Sequence, residues 1–518
     1  MRDIMLKTDK IIYFIIILLI ILAGVLRLYK LDFQTLDTDE IGSILISRQD
    51  LYTIIMRTVD SSKSDVPVTE PPLQYILMKF SMSLFNNDFG ARLPAAILGI
   101  ISIWAIFRAG MAMFNEKVGL TSAFLLSVSF YHILYSQFAR GYSALVLFSL
   151  LSLYYMWRGI KEQKAVPWIG FIAASTFNIY FHYAAIQVLL IEGTIFAAVL
   201  FLYYIGKERS KLTISPKAWN FFLFSLLIIG MLCLFLLPNI KSTLKSRLGG
   251  GGETIPFELN FIYLKNLFAR YGGGNGIPLL FYFFFFVGGI IHSLRKWMIQ
   301  GTALILWILI PFVLLFKSGY QWFFHIRYLM VTFPIFLIFV AVGVVFTIEW
   351  LSTKLRPQSS LGKIIPSSIL IVLFVWFSFD SLKLYYQMPA RMTDWRAVAD
   401  YLENHYQDDT VILIESSFSV RELKYYLKDE RVRGKLGSVN GDITAFKKAC
   451  KKNKKLFYID NSPVFDSVVG ECFQDKKTFG ANVLFELGKR ELIDWDRSWF
   501  SPANIRRYFP VVYSKKDL

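Results

Sequence analysis

Ile11-Ile-Tyr-Phe-Ile-Ile-Ile-Leu-Leu-Ile-Ile-Leu-Ala-Gly-Val-Leu-Arg-Leu28 carries a single charge, Arg27. A membrane span needs roughly 20 apolar residues at about 1.5 Å each, and this run is close to that length. It follows a basic start (Arg2, Lys7, Lys10) and leads into Arg27-Leu28-Tyr29-Lys30 without a small-residue cleavage site, so it reads as a retained first span and not as a signal peptide. Working outward, further apolar runs fall at 93–114, 118–136, 141–157, 167–181, 183–204, 219–237, 278–292, 301–316, 328–349 and 364–380, about eleven spans in all.

The composition agrees. The 518 residues are 55% hydrophobic with a mean hydropathy of +0.47, above the ~45–50% of soluble domains. Forty-eight Phe and 27 Tyr raise the aromatic share to 17%, as expected of lipid-facing helices with aromatic ends. The net charge of +18 argues for positive-inside loops and against nucleic acid, because Lys and Arg cluster between apolar runs.

Loop charge sets the expected orientation. One set of alternate loops holds Arg108 and Lys117, then Arg158, Lys161 and Lys164, then Lys207, Arg209, Lys211 and Lys217, then Arg295 and Lys296, then Lys354, Arg356 and Lys363. The short opposite turns carry little: Arg140, Lys317 and Arg327. The N-terminus is therefore expected in the cytoplasm. An odd span count then puts both the loop 29–92 and the tail outside a cell membrane. In that loop Tyr75, Leu77, Phe80, Leu84 and Phe85 suggest an interfacial helix over Leu73 to Phe85. The glycine clusters Gly249–Gly252 and Gly272–Gly274 suggest a mobile loop over 238–277.

After about residue 385 the pattern changes. Asp394-Trp395-Arg396 opens a helix with Ala397, Val398, Tyr401 and Leu402 on one face, and Thr410–Ile414 and Lys455–Ile459 read as strands. The expected organisation is an all-α polytopic membrane domain over 1–384 and an extracytoplasmic α/β domain over 385–518. Cys450 and Cys472 in the latter would form a disulfide or stay free, while Cys233 sits in an apolar run. No phosphate-loop signature occurs, since Gly249–Gly252 lacks the following Lys-Ser/Thr.

Several polar residues lie at the ends of spans that the loop charges put on the outer face. Asp39-Glu40 follows the first span by about a dozen residues, and Glu70-Pro71-Pro72 precedes the interfacial helix. Arg92 opens the second span, Arg140 and Tyr142 sit in the turn after the third, His182 lies between the fifth and sixth, and His325 and Arg327 open the tenth. Taken singly, arginines at helix ends snorkel and acids form solvated turns. Together they suit an anionic lipid substrate, with guanidinium groups for phosphate and an acid to take a hydroxyl proton.

The ordered series Leu36-Asp-Thr-Asp-Glu40, Glu70-Pro-Pro-Leu-Gln-Tyr75, Ala91-Arg-Leu-Pro-Ala95, Tyr135-Ser-Gln-Phe-Ala-Arg-Gly-Tyr142 and Phe181-His-Tyr183 resembles the GT-C glycosyltransferases. These are the dolichyl-phosphate-mannose protein mannosyltransferase-like enzymes, which include the aminoarabinose transferase of lipid A. The resemblance covers roughly residues 10–350, and Asp394-Trp395-Arg396-Ala397 resembles the start of the outer domain in many members. It implies an enzyme that moves a hexose or pentose from a polyprenyl-phosphate donor to a hydroxyl of protein, lipid or glycan, usually with inversion. It implies Asp39 as base, Glu40 orienting the sugar or helping the base, Arg140 and Arg327 on the phosphate, and lesser roles for Arg92, His182 and Tyr142. Two positions depart from the family pattern: Phe138, where many members have Glu, and Glu70, where many have His or Lys. The second leaves a divalent cation at Glu70 open, although no metal-ligand spacing supports one. Two further readings are a transporter or flippase of a lipid-linked anion, and a polymerase or ligase of lipid-linked glycans. The absence of paired repeats argues against the first, and the early Asp39-Glu40 pair against the second.

Overall fold

The computed structural model describes residues 2–59, 70–204, 216–241, 261–318, 326–355, 360–387, 394–408, 410–414 and 417–438, then 442, 444, 448, 456–460, 475–478 and 511–515. Cys450, Cys472, His325 and Gly249–Gly252 lie outside these residues. The chain packs into two compact units. One comprises Met1–Leu31 and Ile44–Leu382, the other Asp32–Ser43 and Lys383–Leu518.

The helices in the first part of the chain are α1 (Arg2–Leu28), α2 (Thr38–Ser47), α3 (Leu51–Val59), α4 (Pro72–Leu84), α5 (Asp88–Met113), α6 (Glu116–Val128), α7 (Phe130–Ser136), α8 (Tyr142–Glu162), α9 (Ala165–Phe181), α10 (Ala185–Tyr204) and α11 (Pro216–Cys233). They continue with α12 (Phe261–Tyr271), α13 (Ile277–Lys296), α14 (Met298–Ser318), α15 (Phe333–Leu355) and α16 (Ser360–Gln387). Each expected span has its helix. Among the described residues, eight helices are long and apolar enough to cross a membrane, α6 and α7 together have the length and apolar character of a span but are bent by 62°, and α9 and α14 are shorter apolar helices.

The bend has a local cause. Ser129 ends α6 in extended conformation and caps α7, accepting from the His132 N–H, so the carbonyls of the last turn of α6 lose their helical partners. Arg27, buried in the first span, supplies them: its Nη1 donates to Ser127 O at 3.1 Å and its Nη2 to Leu126 O at 3.0 Å. Elsewhere α13 and α15 approach so closely that a Cβ on Gly289 would lie 1.9 Å from Phe339 O, and one on Gly343 2.1 Å from Phe285 O. Small residues at a crossing are how membrane helices gain packing contact.

Two expectations are corrected. The interfacial helix is present as α4, but its faces differ: Tyr75 is buried with Gln74, Met78, Ser81 and Met82, while Leu77, Phe80 and Leu84 point outward. Tyr75 and Leu77 are about 200° apart on a helix and cannot share a face. The cluster Gly272–Gly274 belongs to a helix end and not to a mobile loop. Gly272 N donates to Phe268 O, Gly274 N to Ala269 O, and Gly273 takes a φ of 80° that closes α12.

The second unit is α/β. Its helices are α17 (Trp395–His405), α18 (Ser417–Tyr426) and α19 (Glu430–Arg433), and its strands β1 (Val411–Ile414), β2 (Leu436–Ser438), β3 (Leu456–Asp460), β4 (Asp475–Thr478) and β5 (Val511–Lys515). The sheet order is β2-β1-β3-β5-β4, with β1 parallel to both neighbours and β5 antiparallel to β3 and β4. Asp394 caps α17 by accepting from Ala397 N. The core joins Trp395, Val398 and Leu402 of α17 to Ile412, Ile414 and Leu423.

Gly343→Val is expected to destabilise the membrane unit by about 1–3 kcal/mol through overpacking, lowering the thermal unfolding midpoint in detergent, whereas Gly288→Val, where a Cβ meets nothing within 4 Å, leaves that midpoint nearly unchanged.

Candidate functional site

In the membrane unit the site grows from the turn 137–141 between α7 and α8. Gln137 Nε2 donates to Arg27 O and Tyr29 O, both at 2.9 Å, and Gln74 Nε2 of α4 donates to Ala139 O at 3.0 Å. Gly141 allows a close approach to the end of α9, since a Cβ there would lie 2.5 Å from Phe181 O. The turn is thus tied to α1, α4 and α9, and it presents Arg140 to Glu70. Arg140 Nη2 stands 2.9 Å from Glu70 Oε1, and both residues are buried. His182 follows α9; its Nδ1 accepts from Ala184 N at 3.1 Å, so in the neutral ring the proton sits on Nε2, 3.8 Å from the same Glu70 oxygen. The Tyr142 ring packs on the His182 ring with centroids 5.1 Å apart. Phe138, at the position of the family's acid, is buried and packs against Tyr135 and Tyr142. Arg327 lies on the 3₁₀ turn Ile326–Leu329, over the Tyr328 ring and within electrostatic reach of Tyr142.

The structure therefore brings Glu70, Arg140, His182 and Tyr142 together, with Arg327 within reach of Tyr142. Arg92 makes a different contact, donating from Nη1 to Leu31 O at 3.1 Å, which ties α5 to the end of the first span. Sequence reading overlooked Arg27, whose Nη2 also lies 2.7 Å from His132 Nδ1. A lone arginine in an otherwise uninterrupted apolar run is the signal that pointed to it.

The acidic pair belongs to the other unit. Asp37 is the N-cap of α2: its Oδ1 accepts from Asp39 N at 3.1 Å, and its main-chain N donates to Glu40 Oε2 at 3.0 Å. This is a capping box, with Glu40 as its third-position acid. Glu40 is fully buried, and Asp39 is half-buried in the first turn, where the helix dipole favours negative charge. Five hydrogen bonds hold the preceding segment. Arg396 donates to Asp32 O and Phe33 O, Gln34 Nε2 to Tyr385 O, Leu36 N to Tyr426 Oη, and the Thr38 hydroxyl to Glu422 Oε1.

The surroundings of Glu70 do not fit a divalent cation. Its Oε1 already faces a guanidinium and an imidazole, and among the described residues no three His, Cys, Asp or Glu side chains gather.

A helical bundle with a bent α6–α7 pair and a buried polar cluster at the helix ends has the fold of the GT-C glycosyltransferases. Residues 69–234 match the family model described as dolichyl-phosphate-mannose-protein mannosyltransferase. The chain is similar to ArnT from Cupriavidus metallidurans in the apo state, with a TM-score of 0.59 and 11% identity over 96% of this chain and 97% of that one. The same enzyme bound to undecaprenyl phosphate gives a TM-score of 0.52 and 11% identity over the same shares. The oligosaccharyltransferase AglB from Archaeoglobus fulgidus, solved with an inhibitory peptide and a dolichol-phosphate, gives 0.55 and 9% over 89% of this chain and 70% of that one. No curated protein sequence matches the chain.

Truncating Glu70 removes a carboxylate from the buried guanidinium of Arg140. Glu70→Ala is expected to lower stability by about 3–5 kcal/mol, and Glu70→Leu with Arg140→Met to recover most of it. Thermal unfolding of the single and double variants checks this.

Proposed function

We propose that the chain is an integral membrane glycosyltransferase that transfers a sugar from a polyprenyl-phosphate donor to a hydroxyl acceptor, with inversion and with Asp39 as the base. The observation that carries the reading is a small groove, open to its surroundings, between α4 and the start of α5. Leu77, Met78, Pro94, Ala95 and Leu98 make its walls apolar, and Arg140 stands at its polar end. Apolar walls suit an isoprenoid chain, and a guanidinium suits the phosphate at the head of that chain. The undecaprenyl phosphate of ArnT and the dolichol-phosphate of AglB are ligands of this class.

In this reading Asp39 takes the acceptor proton, the acceptor oxygen attacks the anomeric carbon, and the bond from that carbon to the phosphate oxygen breaks. The leaving polyprenyl phosphate gains charge, which Arg140 and Arg327 stabilise. Fixed donors aimed at developing charge are usually the largest catalytic contribution. Glu70 orients Arg140, His182 and Tyr142 pack the same pocket, and Glu40 holds the start of α2 so that Asp39 keeps its direction. Arg92 acts by tying α5 to the first span. The loop charges support a cell-membrane protein with a cytoplasmic N-terminus that works on the outer face. Its acceptor is a hydroxyl of protein, lipid or surface glycan, and its sugar a hexose or pentose.

In membranes supplied with a labelled polyprenyl-phosphate sugar, Asp39→Asn is expected to lower kcat by about 10²–10⁴-fold; undiminished transfer rules out this mechanism. Ala95→Trp fills the groove. It is expected to raise KM for a long-chain donor by about tenfold or more while sparing a short-chain analogue, and equal effects on both would place the lipid elsewhere.

A further inference from the structure

The segment carrying the acidic pair is held by the C-terminal unit at its backbone and at the residue beside Asp39. Leu36 N donates to Tyr426 Oη at 2.7 Å, and the hydroxyl of Thr38, the first residue of α2, donates to Glu422. Glu422 and Tyr426 lie one turn apart on α18, so both point to the same side of that helix. Glu422 is buried, and it also accepts from the Trp395 ring of α17. Two side chains of α18 thus hold Leu36 and Thr38, just before Asp39, and Trp395 of α17 in turn holds Glu422. A buried carboxyl is costly to keep unless it holds something in place.

We propose that Glu422 and Tyr426 are positioning residues for Asp39, which make the orientation of the base a property of the C-terminal domain. The inference rests on the reading of Asp39 as the base. It gives the α/β unit a part in the chemistry.

A pH dependence follows. Burial pushes the Glu422 carboxyl up to about 7. The bond from Thr38 opposes the rise, the Asp37 carboxylate adds to it, and Arg421 and the Trp395 bond oppose it. The packed arrangement therefore holds a proton that the unfolded chain releases near 4.5. Its stability falls as pH rises through about 4.5 to 7, because the unfolded state binds fewer protons across that window. Above about 7 the ionised Glu422 keeps the Thr38 bond, but the buried charge repels the Asp37 N-cap, and that repulsion loosens the start of α2.

The test is steady-state transfer by the full-length chain in membranes, with labelled polyprenyl-phosphate sugar, across pH 5 to 9. A misplacement of about 1 Å costs a reaction roughly 100-fold. Glu422→Ala is accordingly expected to lower kcat about 10–100-fold, and Tyr426→Phe, which keeps the ring, about 3–10-fold. Both should leave KM for the donor within about twofold. Glu422→Gln keeps an acceptor for Thr38. It is expected to recover most of the loss seen with Ala and to abolish the fall in kcat above pH 7 that the unaltered chain shows. If Glu422→Ala fails to fold, the Gln and Phe variants carry the test. An unchanged pH profile for Glu422→Gln, or an unchanged kcat for Tyr426→Phe, overturns the proposal. With Asp39→Asn measured in parallel, an inactive Asn variant beside fully active Glu422 and Tyr426 variants refutes the positioning role alone. An active Asn variant refutes the assignment of Asp39 itself.

Discussion

Backbone groups inside a bilayer have no water to turn to, so a helix that breaks within the membrane needs another donor for its open carbonyls. Arg27 is that donor for the break between α6 and α7. The arrangement of the membrane unit near its candidate site follows from this. The break turns α7 away by 62°, the turn 137–141 follows, and Gln137 binds back to the carbonyls of residues 27 and 29. A charge that would be expensive in lipid is spread over three carbonyls and an imidazole nitrogen. Arg27 thereby fixes the height and direction of the turn that carries Arg140.

The pair of Arg140 with Glu70 is the second constraint. Neither group is stable alone at that depth, and each partly satisfies the other. His182 and Tyr142 close the pocket around them. The carboxylate of Glu70 brings the local charge around Arg140 nearer neutral. In the other unit, the acidic pair divides its labour: Glu40 caps the helix with Asp37, and Asp39 stands in the first turn.

Much of the fold was legible in the chain because its cues are local. Apolar runs marked every span, including the bent one, since hydropathy does not register a kink at Ser129. Alternating apolar residues and the Asp394 cap marked the α/β unit. The faces of α4 were misjudged because a helix at an interface carries apolar residues on both its packed side and its lipid side. The site was legible only as a set of polar residues at helix ends. Arg92 looked like Arg140 in sequence, yet one bonds a backbone carbonyl and the other a carboxylate. Glu422 and Tyr426 carried no signal at all, because a buried acid on an amphipathic helix reads as an ordinary surface residue.

The amino-acid sequence by itself determined that this protein crosses the membrane many times, that an α/β unit ends it, and that acids and arginines recur beside the spans. Those properties depend on hydrophobic periodicity and on caps within a few residues. The tertiary structure alone decided which charge meets which partner: Arg27 with the carbonyls of 126 and 127, Glu70 with Arg140, and Thr38 with Glu422. Such pairings join residues about 70 to 390 positions apart. Their energies depend on burial and on geometry within an ångström, and neither is written in any local stretch of the chain.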